Sequence, residues 1–154
     1  MSGALLIGVL VAGVTSTAAG DDQPDEPRLA LDGYDPVAYF TMGAPVRGVV
    51  DFRYVVDGVD YLFANADHLS MFRDEPDRYL PQFGGLCAMG LAANGYSVVA
   101  DPHNWVIQDG RLYIMQRSFG PPGFRTDPEG FISAAEQNLA LLEGMPIGSG
   151  ISWW

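Results

Sequence analysis

Asp51-Phe52-Arg53-Tyr54-Val55-Val56-Asp57-Gly58-Val59-Asp60-Tyr61-Leu62-Phe63 is the stretch that decides the fold. Two β-branched and aromatic runs flank Asp57-Gly58. Asp-Gly is the pair favoured where both central residues of a tight turn take positive φ, so the stretch predicts a β-hairpin. Downstream, Trp105-Val106-Ile107 and Leu112-Tyr113-Ile114 flank Asp109-Gly110 and predict a second hairpin by the same chemistry.

Helical signals fill the space around the hairpins. Asp35 and Pro36 stand at cap and first-turn positions ahead of Val37-Ala38-Tyr39-Phe40, which predicts one short helical turn. That cap explains Asp35 better than acid/base chemistry with Tyr34, and it leaves Tyr34 to the core. Asn65 is placed to cap a helix through Arg73, with Leu69, Phe72 and Met71 turned inward and Pro76 as the stop. Gly84-Gly85 releases a helix over Leu86 to Ala93, with Cys87 in its first turn and Asn94-Gly95 as its end. The last helix spans about Pro128 to Leu142, with Phe131, Ile132, Ala135, Leu139 and Leu142 as its apolar stripe. Gly120-Pro121-Pro122-Gly123 reads as a helix-breaking loop. The fold class is therefore α+β, a small single domain of two β-hairpins with short helices packed on them.

The chain ends divide it into four parts. In residues 1–19 an apolar run from Ala4 to Val14 precedes small residues at Thr17 and Ala19, the pattern of a secretory signal peptide. The run is shorter than the 18 or so apolar residues that span a bilayer, so a membrane role arises only if this segment is retained. Residues 20–28 form an acidic linker, 29–142 the folded domain, and 143–154 a tail ending in Trp153-Trp154. These features place the protein outside the cytoplasm, periplasmic or secreted.

Charge narrows the partners. The 154 residues hold 19 acidic and 8 basic side chains for a net charge of -11, and all the basic residues are arginine. Nothing in this balance neutralises a phosphate backbone, which excludes nucleic acid as a partner. Lysine chemistry is excluded outright. One cysteine allows no intramolecular disulfide. The chain carries no nucleophile-elbow, phosphate-loop, His-Glu-x-x-His or Cys-x-x-Cys pattern, which removes the usual support for hydrolase, kinase and dithiol-oxidoreductase readings.

Several blocks in order resemble the YHS domain family, in the single-domain exported form found in bacteria. They are Gly33-Tyr34-Asp35-Pro36-Val37-Ala38-Tyr39-Phe40, Tyr61-Leu62-Phe63, Glu75-Pro76-Asp77-Arg78-Tyr79 and Gly84-Gly85-Leu86-Cys87-Ala88, followed by Asp101-Pro102, Trp105, Asp109-Gly110 and Leu112-Tyr113. The resemblance covers Leu29 to Leu141 and implies a small metal-binding module. Many members carry two cysteines on the hairpin-helix unit, at positions occupied here by Ala64 and His68. Ala64 offers no donor, so a metal site must be rebuilt from other residues.

Cys87, His68 and His103 are the residues from which it would be rebuilt. Together they offer a thiolate and two imidazoles to copper, zinc or iron, although their spacing fits no standard motif. Cys87 lies after two glycines and near a helix N-terminus, a setting that favours a thiolate. Its other reading is a small buried hydrophobe. His68 reads otherwise as an exposed helix residue and His103 as a turn residue. The functional expectation is an exported binding module, with a transition metal held by Cys87 with His68 or His103. The alternatives are a reactive-thiol protein using Cys87 and a non-catalytic structural or interaction domain.

Overall fold

The computed structural model describes residues 28–95 and 99–143, so the segment expected to be a signal peptide, nearly all of the expected acidic linker and the Trp-Trp tail lie outside the described residues. The chain forms β1 (Arg28–Leu29), a tight 3-10 turn (Ala30–Gly33), α1 (Ala38–Thr41), β2 (Val49–Val56), β3 (Val59–Phe63), α2 (Ala66–Asp74) and α3 (Pro76–Tyr79). A second 3-10 turn (Gln82–Gly85) leads to α4 (Ala88–Asn94), β4 (Asp101–Gln108), β5 (Arg111–Met115), α5 (Gly120–Phe124) and α6 (Pro128–Glu143). The protein is a small α+β domain.

Both hairpins form. Asp57 and Gly58 take φ of 50° and 74°, and Asp109 and Gly110 take 50° and 73°, the paired positive values of a type I′ turn. β1 adds to the first hairpin in parallel, giving the order β1-β3-β2, while β4 and β5 make a two-stranded sheet.

The two halves are one unit repeated at an offset of 52 positions, as from Asp57 to Asp109. In the first hairpin Val49 pairs with Phe63, the register slips, and Arg53 pairs with Leu62. In the second, Asp101 pairs with Met115, the register slips, and Trp105 pairs with Ile114. The turn Leu31-Asp32-Gly33 runs through three consecutive positive φ values, and Phe83-Gly84-Gly85 does the same. The bridge from Tyr34 to Arg47 reappears as Leu86 to Val99. Phe72 and Phe124, again 52 apart, are both fully buried, and Pro76 and Pro128 each open a helix. The repeat was not foreseen from the sequence because few residue identities survive in it. Its trace is the pair of Asp-Gly turns and the acid-proline pairs Glu75-Pro76 and Asp127-Pro128.

Packing follows the repeat. The first copy closes around Val37, Tyr61, Phe63, Phe72 and Tyr79. The second closes around Cys87, Val106, Tyr113, Met115 and Phe124. Tyr39, Leu112 and Ile114 form a further buried cluster that joins residues of the two copies. Of the final stripe, Ala135 is fully buried, and Phe131 and Ile132 pack against the second core. Met71 is exposed rather than inward. Gly120–Phe124 is a short helix rather than a loop, because Pro121 and Pro122 fall in its first turn, where a helix does not need their missing N–H groups.

Candidate functional site

Asp35 sits at the centre of the first copy, completely buried. Its Oδ1 accepts the N–H of Val37 at 2.8 Å and of Ala38 at 3.3 Å, the capping role read from the sequence. Its Oδ2 accepts the N–H of Ala64, just beyond β3, at 2.8 Å. Oδ2 also accepts from Nδ1 of His68 at 2.5 Å. One carboxylate thus ties α1, the end of β3 and α2 together.

His68 is the first correction to the sequence reading. It is 7% exposed, not a surface helix residue. Asn65 Oδ1 caps α2 by accepting the His68 N–H at 2.8 Å, which fixes where the side chain leaves the helix. With Nδ1 donating to Asp35, Nε2 lies 3.1 Å from the Thr41 hydroxyl at the C-terminal end of α1. Thr41 Oγ1 is also 3.2 Å from the Val37 carbonyl, to which it can donate. When the imidazole is neutral, Nε2 accepts from Thr41. When it is protonated, Nε2 donates to Thr41, whose own proton turns to Val37. Thr41 is an exposed residue, so a hydrogen-bonded chain runs from a buried carboxylate to the hydroxyl of a residue at the surface.

The second copy shows the same node without this chain. Cys87 is the residue equivalent to Asp35, and it is the N-cap of α4 rather than part of its first turn. Its Sγ accepts the N–H of Gly90 at 3.3 Å and of Gln116, just beyond β5, at 3.2 Å. Gln116 stands 52 positions after Ala64, so the two caps gather the same kinds of backbone donor. The positions equivalent to His68 and Thr41 are Gly120 and Ala93. A Cβ on Gly120 would lie 2.6 Å from the Met115 Cβ, so the methionine occupies the space that a larger side chain would need.

His103 stands elsewhere, on β4 rather than in a turn. It is exposed, and its Nε2 lies 3.0 Å from the Tyr34 hydroxyl. Tyr34 is half-buried rather than a core residue and carries the Arg47 guanidinium 4.3 Å from its ring centre. Tyr39 donates to the Pro102 carbonyl at 3.0 Å. Burial, followed by the nearby Tyr34, Asp101 and Asp35, pushes the Tyr39 phenol far above its ordinary pKa, so it remains a donor.

The structure therefore does not assemble Cys87, His68 and His103 into one site. Their side chains have different partners: Asp35 and Thr41 for His68, Tyr34 for His103, and the Gly90 and Gln116 amides for Cys87. Among the described residues, no group of three or more His, Cys, Asp or Glu side chains is placed to hold a metal ion. The residues present do not fit the shared copper, zinc or iron site expected from the sequence, since ligands of one ion must converge to about 2.0–2.3 Å from it. A groove of about 220 Å³ lies between the two tight turns, lined in part by Leu31, Asp32, Phe83, Gly84 and Val99, and none of the three candidates lines it. No helix among the described residues is long and apolar enough to cross a membrane.

Thr41 and Asp35 are the members of the constellation that the sequence reading did not assign to it. The signal for them in the sequence is a capping Asp35 together with a histidine one turn into the helix after the hairpin. Comparison with family models, with curated proteins and with solved structures finds no match to this chain.

Proposed function

We propose that the protein is an exported, YHS-type binding module that receives its ligand at the Thr41–His68 end of the first copy. One observation carries this reading: the second copy builds the same cap node with Gly120 and Ala93 where the first has His68 and Thr41. The shared scaffold closes without an imidazole or a hydroxyl at these positions. Their presence in the first copy therefore adds polar chemistry that the fold does not require. The same comparison assigns Cys87 the structural role of a cap, which argues against a reactive thiol.

Ring-nitrogen NMR of His68 and His103 tests the reading, with butyramide as an uncharged probe. A saturable shift of His68 that disappears in Thr41→Val supports it. Equal responses of the two histidines, or none at His68, overturn it.

The second reading keeps the metal but drops the three-residue set. A carboxylate on Nδ1 is the partner that commonly orients a metal-binding imidazole, which leaves His68 Nε2 as the donor. Elemental analysis of protein recovered from the export compartment without chelators decides it. Near-stoichiometric copper, zinc or iron that is lost in His68→Gln but retained in Cys87→Ser supports this second reading.

A further inference from the structure

We propose that Thr41 is a nucleophile toward activated acyl groups, with His68 as its general base and Asp35 as the residue that positions the base. The inference rests on the binding site proposed above and adds covalent chemistry to it.

The geometry has the three parts such chemistry needs. Thr41 is an exposed residue, and its hydroxyl, in a part-buried hydrogen bond, lies 3.1 Å from His68 Nε2, within the range for direct proton transfer. The opposite ring nitrogen is held at 2.5 Å by a carboxylate with no exposure, which fixes the tautomer that leaves Nε2 free to accept. The carboxylate is itself fixed by three backbone N–H groups, so the base is supported by secondary structure on both sides. A histidine present only for packing would need none of this orientation toward an exposed hydroxyl.

Exposed residues next to Thr41 and His68 in the chain point to the substrate class. Met42, the next residue after Thr41, is 59% exposed, and Met71, one helical turn beyond His68, is 36% exposed. Apolar side chains therefore follow both the nucleophile and the base in the chain. With a net charge of -11, the protein disfavours an anionic substrate. The fitting electrophile is an uncharged or cationic ester or thioester with a short apolar acyl chain.

The step balances without a further reactant. Thr41 Oγ1 forms a bond to the acyl carbon as its proton passes to His68 Nε2. The bond from that carbon to the leaving group breaks, the leaving group takes the electron pair, and it receives the proton back from Nε2. The products are the Thr41 ester and a neutral alcohol or thiol, and Asp35 stabilises the imidazolium in between.

The absence of lysine makes the test clean, since no side-chain amine competes for acyl groups. The full chain is treated with p-nitrophenyl butyrate, nitrophenolate release is followed, and the acylated peptide is mapped by mass spectrometry. One butyryl group per chain on Thr41 is expected, lost in Thr41→Val, retained in Thr41→Ser, and formed about 100-fold more slowly in His68→Gln. Acylation of other residues alone, or equal rates in wild type and Thr41→Val, overturns the proposal. Because Thr41 is exposed, its valine variant decides the question even if His68→Gln unfolds. A butyramide shift at His68 without Thr41 acylation refutes the nucleophile and leaves the binding reading standing, while neither response removes both.

Discussion

Replacing Asp35 by alanine removes the acceptor for four donors in a place that water does not reach, because Asp35, Val37 and Ala38 have no exposed surface. Losing the cap of α1 costs about 1 kcal/mol. Leaving the Ala64 N–H and the His68 Nδ1–H without partners costs about 1–3 kcal/mol each. The expected loss is therefore about 3–7 kcal/mol, a large share of the roughly 5–15 kcal/mol that holds a domain of this size folded. The second copy supplies the control. Cys87→Ala removes an acceptor for two amides rather than four donors, and sulfur is a weaker acceptor, so about 2 kcal/mol is expected. Urea unfolding of the two variants at pH 7 measures both losses. With a slope of about 1.5 kcal/mol per molar, Asp35→Ala moves the midpoint down by about 2–5 M and Cys87→Ala by about 1.3 M. Adding His68→Ala to Asp35→Ala is expected to cost at least about 1 kcal/mol less than His68→Ala alone, because the pair acts as a unit. A loss below about 1.5 kcal/mol for Asp35→Ala, or equal losses for the two caps, refutes the assignment of Asp35 as the four-donor node.

Three further outcomes follow from individual contacts. Tyr39 has a raised pKa in the folded state, so its contribution is complete below about pH 10, the unfolded value, and is lost as pH rises above it; alkaline unfolding should steepen there by about 1.4 kcal/mol per pH unit per buried tyrosine, with Tyr61 and Tyr113 adding to it, and Tyr39→Phe should flatten the curve while costing about 1 kcal/mol at pH 7. A Cβ on Gly48 would lie 2.5 Å from the carbonyl carbon of Leu62, so Gly48→Ala must push β2 off β3 and should lower stability by about 3 kcal/mol or more, read as a fall in the thermal midpoint; an unchanged midpoint would show that this edge gives way freely. Asp60 is bonded by Arg53 at 3.0 Å through one oxygen, while its other oxygen is buried without a partner, so Arg53→Ala should cost about 1–3 kcal/mol by chemical denaturation, and a loss within about 0.5 kcal/mol would mean that water already solvates the carboxylate.

Legibility in the sequence varied with how local each signal is. The hairpins were readable because Asp-Gly at positions 57–58 and 109–110 states a backbone conformation within two residues. The cap by Asn65 was readable for the same reason, since donor and acceptor are three residues apart. By contrast, Leu31, Asp32 and Phe83 take φ of 49°, 50° and 57°, values that no local preference of leucine or phenylalanine predicts. The prolines of α5 misled because proline breaks a helix interior but suits its first turn, and only the position of the helix start distinguishes the two cases. For the candidate site, Asp35 was legible as a cap, yet its bond to His68 crosses 33 positions of chain. Cys87, His68 and His103 read as one donor set because they are the one cysteine and the two histidines of the chain. Their different partners depend on contacts between residues distant in the chain.

By itself, the sequence determined the acidic single-cysteine composition, the absence of lysine, the two hairpins and the helices α1, α2, α4 and α6, because these depend on residue counts, turn chemistry and hydrophobic spacing. The tertiary structure decided that His68 is buried against Asp35, that Cys87 caps a helix, and that His103 faces Tyr34. It also made the 52-residue repeat evident, through matching registers and turns that outlast residue identity. The physical reason is the same for all of these. Hydrogen bonds and packing between residues distant in the chain depend on how hairpins and helices dock, and docking is set by the complementary shapes of whole buried faces rather than by any short run of residues.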